Sequence, residues 1–392
     1  MKTVWKALAG PAPMAIVAAV TLSLSVSAQG GTSKASTRAG GVPTFQVEAS
    51  WPQKLPNNWV MGVPSWVAVD ARDHVWVLHR PRTLSTAEQG RAAPAVLEFD
   101  EAGRFVQGWG GPSDRYEWPD LEHGIFVDHQ NRVWIGGINP IAGAEGSQRW
   151  DDMLLVFTRT GTFVRQIGRR DKSGGNEDTK NVKRPADVFV YPKTHEAFVA
   201  DGYGNRRVLV LDADTGVFKR MWGAFGNRPV DAPPLPPGVR RPVPPLLTEG
   251  PGPDQFDVVH ALILSNDGLV YVADRQNRRI QVFTLEGRFV TQVFINRTGP
   301  YPRTGSGLAF SPDPQQQFMY VADFDNGQVV IVNRKTLDVV GSFGRRGSSP
   351  GEFQSLHNIA ADSKGNLYTA EVGPGSRVQK FRFQGLSGPD GR

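Results

Sequence analysis

Three of the chain's seven histidines recur at one place in a repeated stretch. His123 lies in "EHGIFVDHQNRVWIG" (122–136), His260 in "VVHALILSNDGLVYVAD" (258–274) and His357 in "SLHNIAADSKGNLYTAE" (355–371). Eleven residues after each comes an aromatic: Trp134, Tyr271 and Tyr368. A lone histidine at a strand end is an ordinary polar residue. Three in equivalent positions are a donor set: three neutral imidazole nitrogens with an open fourth position form a catalytic zinc arrangement. Iron, cobalt and manganese suit the same donors, and affinity order and availability select among them.

The elements that carry these histidines form six copies of one unit, with inner-strand slots near Ser65, His123, Ala186, His260, Ser306 and His357. Each copy reads as an alternating apolar strand, a polar turn and a second strand, as in "VAVDARDHVWVLHR" and "LAFSPDPQQQFMYVAD". Most copies add a third and fourth strand, as in "VLEFDEAGRFVQGWG". Asp267-Gly268, Lys364-Gly365-Asn366, Gly103, Gly161, Gly216 and Gly287 sit where hairpins reverse. The pattern predicts an all-β fold, a six-bladed β-propeller. The last unit lacks a clear fourth strand, and "FQVEASWP" (45–52) is expected to supply it and close the ring.

This architecture places the candidate chemistry. His123, His260 and His357 fall in blades two, four and six, about 120° apart around the axis of a six-bladed ring, and so converge. The entry to a blade's first strand and the exit from its second share one mouth. Tyr203 in "ADGYGNRR" and Arg80 in "VWVLHRPR" follow second strands and belong to that mouth. His79 falls in another slot, and His74, His129 and His195 read as turn residues on the opposite face. The Pro-rich insertion 227–256 and the segments 111–122 and 171–184 read as surface loops.

At the N-terminus, Lys2 and Lys6, the apolar run Met14–Val26 and the small residues Val26-Ser27-Ala28 predict a signal peptide over 1–28, hence export to the periplasm or the medium. A flexible linker (29–43), the propeller (44–385) and a C-terminal tail (386–392) follow. The mature chain is expected to be a monomer without stable membrane insertion. Cleavage removes two lysines and no acid, so the formal charge falls from +6 to +4. Spread along the chain without a basic run, that charge argues against nucleic-acid binding. With no cysteine, no disulfide supports the fold.

The chain resembles the NHL-repeat propellers and, within them, the peptidyl-α-hydroxyglycine α-amidating lyase family with its bacterial relatives. The densest match is "RPADVFVYPKTHEAFVADGYGNRRVLVL", with "VVHALIL", "LEHGIFVD" and "VLHRPR" beside it. "VADRQNRRIQVF" is the generic repeat pattern and says little about activity. The resemblance implies that His123, His260 and His357 bind zinc, and that Tyr203 and Arg80 are catalytic. It implies a structural calcium at the Val67 and Ile125 carbonyls and at Asn358, where the family has an acid. The family's cysteine pair is replaced by Lys183 and Gly204. The implied reaction splits the C–N bond of an N-acyl- or peptidyl-α-hydroxyglycine to an amide and glyoxylate. The rival expectation is a non-catalytic propeller that binds a peptide or glycan at its mouth. A propeller lactonase uses carboxylate and amide ligands, and the histidines argue against it.

Overall fold

The computed structural model describes Met1 and residues 41–139, 149–233 and 248–387. The expected signal peptide, most of the linker and tail, and the middle of the Pro-rich insertion lie outside them. Strand β1 spans Pro43–Glu48. Blade 1 contains β2 (Val63–Val69), β3 (Val75–Arg80), β4 (Val96–Phe99) and β5 (Phe105–Trp109). Blade 2 contains β6 (Glu122–Val127), β7 (Arg132–Gly137), β8 (Met153–Thr158) and β9 (Phe163–Gly168). Blade 3 contains β10 (Asp187–Tyr191), β11 (Glu196–Asp201), β12 (Arg207–Asp212) and β13 (Phe218–Trp222). Blade 4 contains β14 (Val259–Leu264), β15 (Leu269–Asp274), β16 (Arg279–Thr284) and β17 (Phe289–Phe294). Blade 5 contains β18 (Gly305–Phe310), β19 (Phe318–Asp323), β20 (Gln328–Asn333) and β21 (Val339–Phe343). Blade 6 contains β22 (Leu356–Ala361), β23 (Leu367–Glu371) and β24 (Arg377–Leu386), and β1 is its fourth strand.

The ring therefore closes through the N-terminal segment, as the sequence predicts. β1 runs antiparallel to β24, with Phe45 opposite Phe383 and Val47 opposite Phe381. Phe45 also reaches Phe343 (4.9 Å between ring centroids) and Tyr320 (5.5 Å), tying blade 6 to blade 5. Pro43 lies in β1 and Leu386 in β24, although the sequence pattern assigned them to linker and tail.

Burial explains the strand patterns. Blades stack face to face, so middle strands are covered on both sides; β11 and β19 are buried throughout. Fourth strands lie at the rim and keep exposed positions such as Val106, Val164 and Val290. The aromatics eleven residues after the histidines are core residues with a polar end. Trp134 Nε1 donates to Asp128 (2.9 Å), Tyr368 Oη donates to Asp362 (3.1 Å), and Tyr271 Oη accepts from Arg334 (3.2 Å). A buried aromatic thus ties down its own hairpin or the next blade.

A second recurring device holds the mouth loops. In blade 3, Asp201 at the end of β11 pairs with Arg207 (2.8 Å) and accepts from Asn205 (2.7 Å). Arg207 donates onward to the carbonyls of Asn176, Asp178 and Asn181. Asp274 with Arg279 does the same in blade 4, reaching Pro251 and Pro253. Glu371 with Arg377 does so in blade 6, reaching Ser348 and Glu352. Each guanidinium fastens an interblade loop to the end of a second strand, where site residues emerge.

Candidate metal centre

Five inner strands break their ladder at the slot. Pairing shifts between Pro64 and Trp66, Glu122 and Ile125, Val259 and Ala261, Gly305 and Gly307, and Leu356 and Asn358. The residues skipped include Ser65, His123, His260, Ser306 and His357. A bulge releases a residue from the pleat and re-aims its side chain. The three histidines turn inward this way, and their ring centroids stand 4.7–5.0 Å apart.

Each imidazole is oriented by the next blade. Nδ1 of His123 donates to the Ala186 carbonyl (2.8 Å), His260 to Ser306 (2.5 Å) and His357 to Ser65 (2.7 Å). A carbonyl only accepts, so Nδ1 carries the proton and Nε2 keeps its lone pair. The three acceptors are the slot residues of the blades without histidine. Gly124 makes room for one of them: a Cβ there would lie 2.4 Å from the Ala186 oxygen.

Burial holds all three histidines well below their ordinary pKa. Neighbouring positive charge adds to this, chiefly His357 at His123, Arg275 at His260 and Arg80 at His357. The triad is neutral near pH 7, the state that binds metal. Its ligand atoms lie within 4.8 Å of one another. Three oriented, neutral Nε2 donors fit a divalent transition metal, and each has the Nδ1 hydrogen bond that ligating histidines require.

Tyr203 stands over the triad. Its Oη is 3.1 Å from His123 Nε2, 3.1 Å from His260 Nε2 and 3.1 Å from the Arg275 guanidinium. Arg184 donates to the Tyr203 carbonyl (2.7 Å). The preceding Gly202 lies against β14, where a Cβ would meet the Val259 oxygen at 2.1 Å. Arg80, the last residue of β3, donates Nε–H to the Glu122 carbonyl (2.9 Å), next to His123. Burial lowers its pKa, opposed by Tyr203 and Glu122. The predicted set therefore comes together at one mouth.

Arg275 was missed. It lies in the segment read as generic repeat, yet it leaves a second strand as Arg80 does, and counting slots would have found it. It is buried over the Tyr203 ring (5.3 Å) and the Phe324 ring (5.9 Å). Among the described residues neither Arg80 nor Arg275 pairs with a carboxylate. Two desolvated guanidiniums beside a metal triad suit an anionic ligand. Trp66 was also missed; it packs against all three imidazoles.

The expected calcium positions do not fit that ion. Val67 donates its N–H to Asn358 Oδ1 (2.9 Å), so the carboxamide is already engaged. Calcium prefers six to eight oxygens, carboxylates prominent among them, and Asn358 offers one amide oxygen, already hydrogen-bonded, in place of a carboxylate. Lys183 and Gly204 are adjacent, joined by a backbone hydrogen bond (3.0 Å). His74 Nδ1 hydrogen-bonds to Glu98 (2.6 Å) at the opposite end of the sheet. Asp70 completes a second cluster there, but Arg159 ion-pairs with both acids and so already occupies a carboxylate oxygen of each. His129 and His195 meet edge to face at 4.8 Å in neighbouring turns, and His79 is fully buried.

The chain is a six-bladed β-propeller whose sequence is similar to NHL-repeat proteins. It is 26% identical over 349 residues to NHL repeat-containing protein 3 of Mus musculus, covering 86% of this chain and 84% of that protein. It is 24% identical over 267 residues to a probable peptidyl-alpha-hydroxyglycine alpha-amidating lyase of Caenorhabditis elegans, covering 67% and 64%. It is 27% identical over 262 residues to peptidyl-glycine alpha-amidating monooxygenase B of Xenopus laevis, of which it spans 25%. Among solved structures, a streptogramin B lyase aligns over 87% of this chain and 98% of its own, at 11% identity and a TM-score of 0.48. No family model matches. Among the described residues no helix is long and apolar enough to cross a membrane.

Proposed function

We propose that the protein is a metal-dependent lyase that cleaves N-acyl- or peptidyl-α-hydroxyglycine to an amide and glyoxylate. The observation that carries this is the Tyr203 hydroxyl 3.1 Å from the Nε2 atoms of His123 and His260 in a triad of oriented histidines, with the carboxylate-free guanidiniums of Arg275 and Arg80 at the same mouth. The amidating-lyase relatives agree with it.

His123, His260 and His357 would hold a divalent metal, zinc by donor type, which supplies Lewis-acid polarisation of the substrate hydroxyl. Arg80 and Arg275 receive the glycine carboxylate and fix the reacting carbon at the mouth. Tyr203 acts as the general base and takes the hydroxyl proton. The C–O bond becomes the glyoxylate carbonyl as the C–N pair leaves on nitrogen. Tyr203 returns the proton to that nitrogen, giving the amide and restoring the side chain to its starting state. The acyl chain points out of the mouth and is free to vary.

The test is conversion of α-hydroxyhippurate by purified, zinc-loaded protein. Benzamide and glyoxylate in equal amounts are expected. Fully loaded protein that releases no glyoxylate would favour the second reading, a non-catalytic propeller. The long match to NHL repeat-containing protein 3 supports that alternative.

A further inference from the structure

The residue after the slot stands one step farther from the mouth in each inner strand, because all six run inward from it. Those residues are Trp66, Gly124, Asp187, Ala261, Gly307 and Asn358. Three are glycine or alanine; a Cβ on Gly124 or Gly307 would meet the next blade's backbone at 2.4 or 2.8 Å, so the blades close up there and Trp66 is the one large side chain at this level. It is 3% exposed, and its centroid lies 5.2 Å from the His123 ring, 5.6 Å from His260 and 5.6 Å from His357.

The two polar residues at this level are already tied to backbone. Asn358 Oδ1 accepts from Val67 (2.9 Å), joining blade 6 to blade 1. Half a ring away, Asp187 Oδ2 accepts from Leu262 (3.1 Å), joining blade 3 to blade 4, and its Oδ1 accepts from Val188 (2.8 Å). Asp187 is the one carboxylate at this level, and both its oxygens are engaged.

We infer that the axial position beneath the triad is closed by the Trp66 indole and the Asn358–Val67 hydrogen bond instead of by calcium. Trp66 is then a positioning residue: it fixes the three imidazoles from below and leaves the metal's open side facing only the mouth. Calcium stabilises neither the fold nor the transition-metal centre. The inference rests on the triad holding a metal and not on the reaction, so it is tested without turnover.

Metal-depleted full-length protein is melted with and without millimolar calcium, and separately titrated with cobalt(II). The wild-type melting temperature should not respond to calcium, whereas Trp66→Gly/Asn358→Asp should gain a saturable rise. Trp66→Gly should weaken cobalt binding by roughly 10–100-fold, the usual scale for losing a group that orients ligands, and Trp66→Phe should largely preserve it. If Trp66→Gly does not fold, Trp66→Leu, which keeps apolar bulk without the ring, must show the weakened binding. A saturable calcium response in the wild type would overturn the inference. So would a double variant that ignores calcium, or a folded Trp66→Gly or Trp66→Leu with wild-type cobalt affinity.

Discussion

Tyr203 and His260 touch at 3.1 Å yet separate under mutation. On the proposed mechanism Tyr203→Phe removes the proton carrier, and it is expected to lower turnover roughly 10²–10⁴-fold while the metal content of zinc-treated protein, measured by elemental analysis, is unchanged. His260→Ala should lose metal and turnover together. His79 tests the buried ground behind Arg80. Its Nδ1 accepts from Gly62 (3.1 Å), its Nε2 donates to Pro94 (2.8 Å), and burial lowers its pKa from 6.5 to about 4. The unfolded chain therefore binds the extra proton between those values. The group's contribution is complete above about pH 6.5 and falls away as pH drops toward 4, by roughly 3 kcal/mol over the whole window. Urea midpoints across that window should fall less steeply for His79→Gln than for wild type. The histidine triad was legible because a rare residue type recurred at a fixed repeat position, and Tyr203 and Arg80 because they follow second strands and match the resembled family's motifs. Arg275 and Trp66 were not: arginine is common in this repeat, and the packing of an indole on three imidazoles depends on contacts between distant blades.

The units showed in the sequence because alternation, turn glycines and a regular period all act locally. The bulges did not, because a skipped pairing is decided by both strands and leaves no residue signature; Ser65, Ala186 and His260 share a slot with different chemistry. The Asp–Arg clamps were equally silent, since their carbonyl acceptors lie in irregular loops. Arg207 and Asp201 are both fully buried, so truncating one strands the other. Arg207→Ala is expected to cost about 3–5 kcal/mol in urea unfolding. It should also weaken cobalt binding less than it destabilises the fold, because Tyr203, not a histidine, follows Asp201.

The whole ring depends on one strand pairing that is not made in chain order, β1 with β24. A chain beginning at residue 49 would leave β24 with a bare edge, and such edges recruit other chains. Light scattering should show concentration-dependent association, with a lower melting temperature; a monomer with unchanged melting would contradict this role. The hydrogen bonds of the histidines divide the six blades differently, into pairs two–three, four–five and six–one. The last pair straddles the blades that β1 joins, since His357 rests on Ser65. An ion held by the triad is therefore also a rivet across the seam. By linkage, a metal at about a hundred times its dissociation constant adds roughly 2.7 kcal/mol to whatever keeps its site assembled. If the triad is loaded with metal, filling the mouth and latching the ring are one equilibrium.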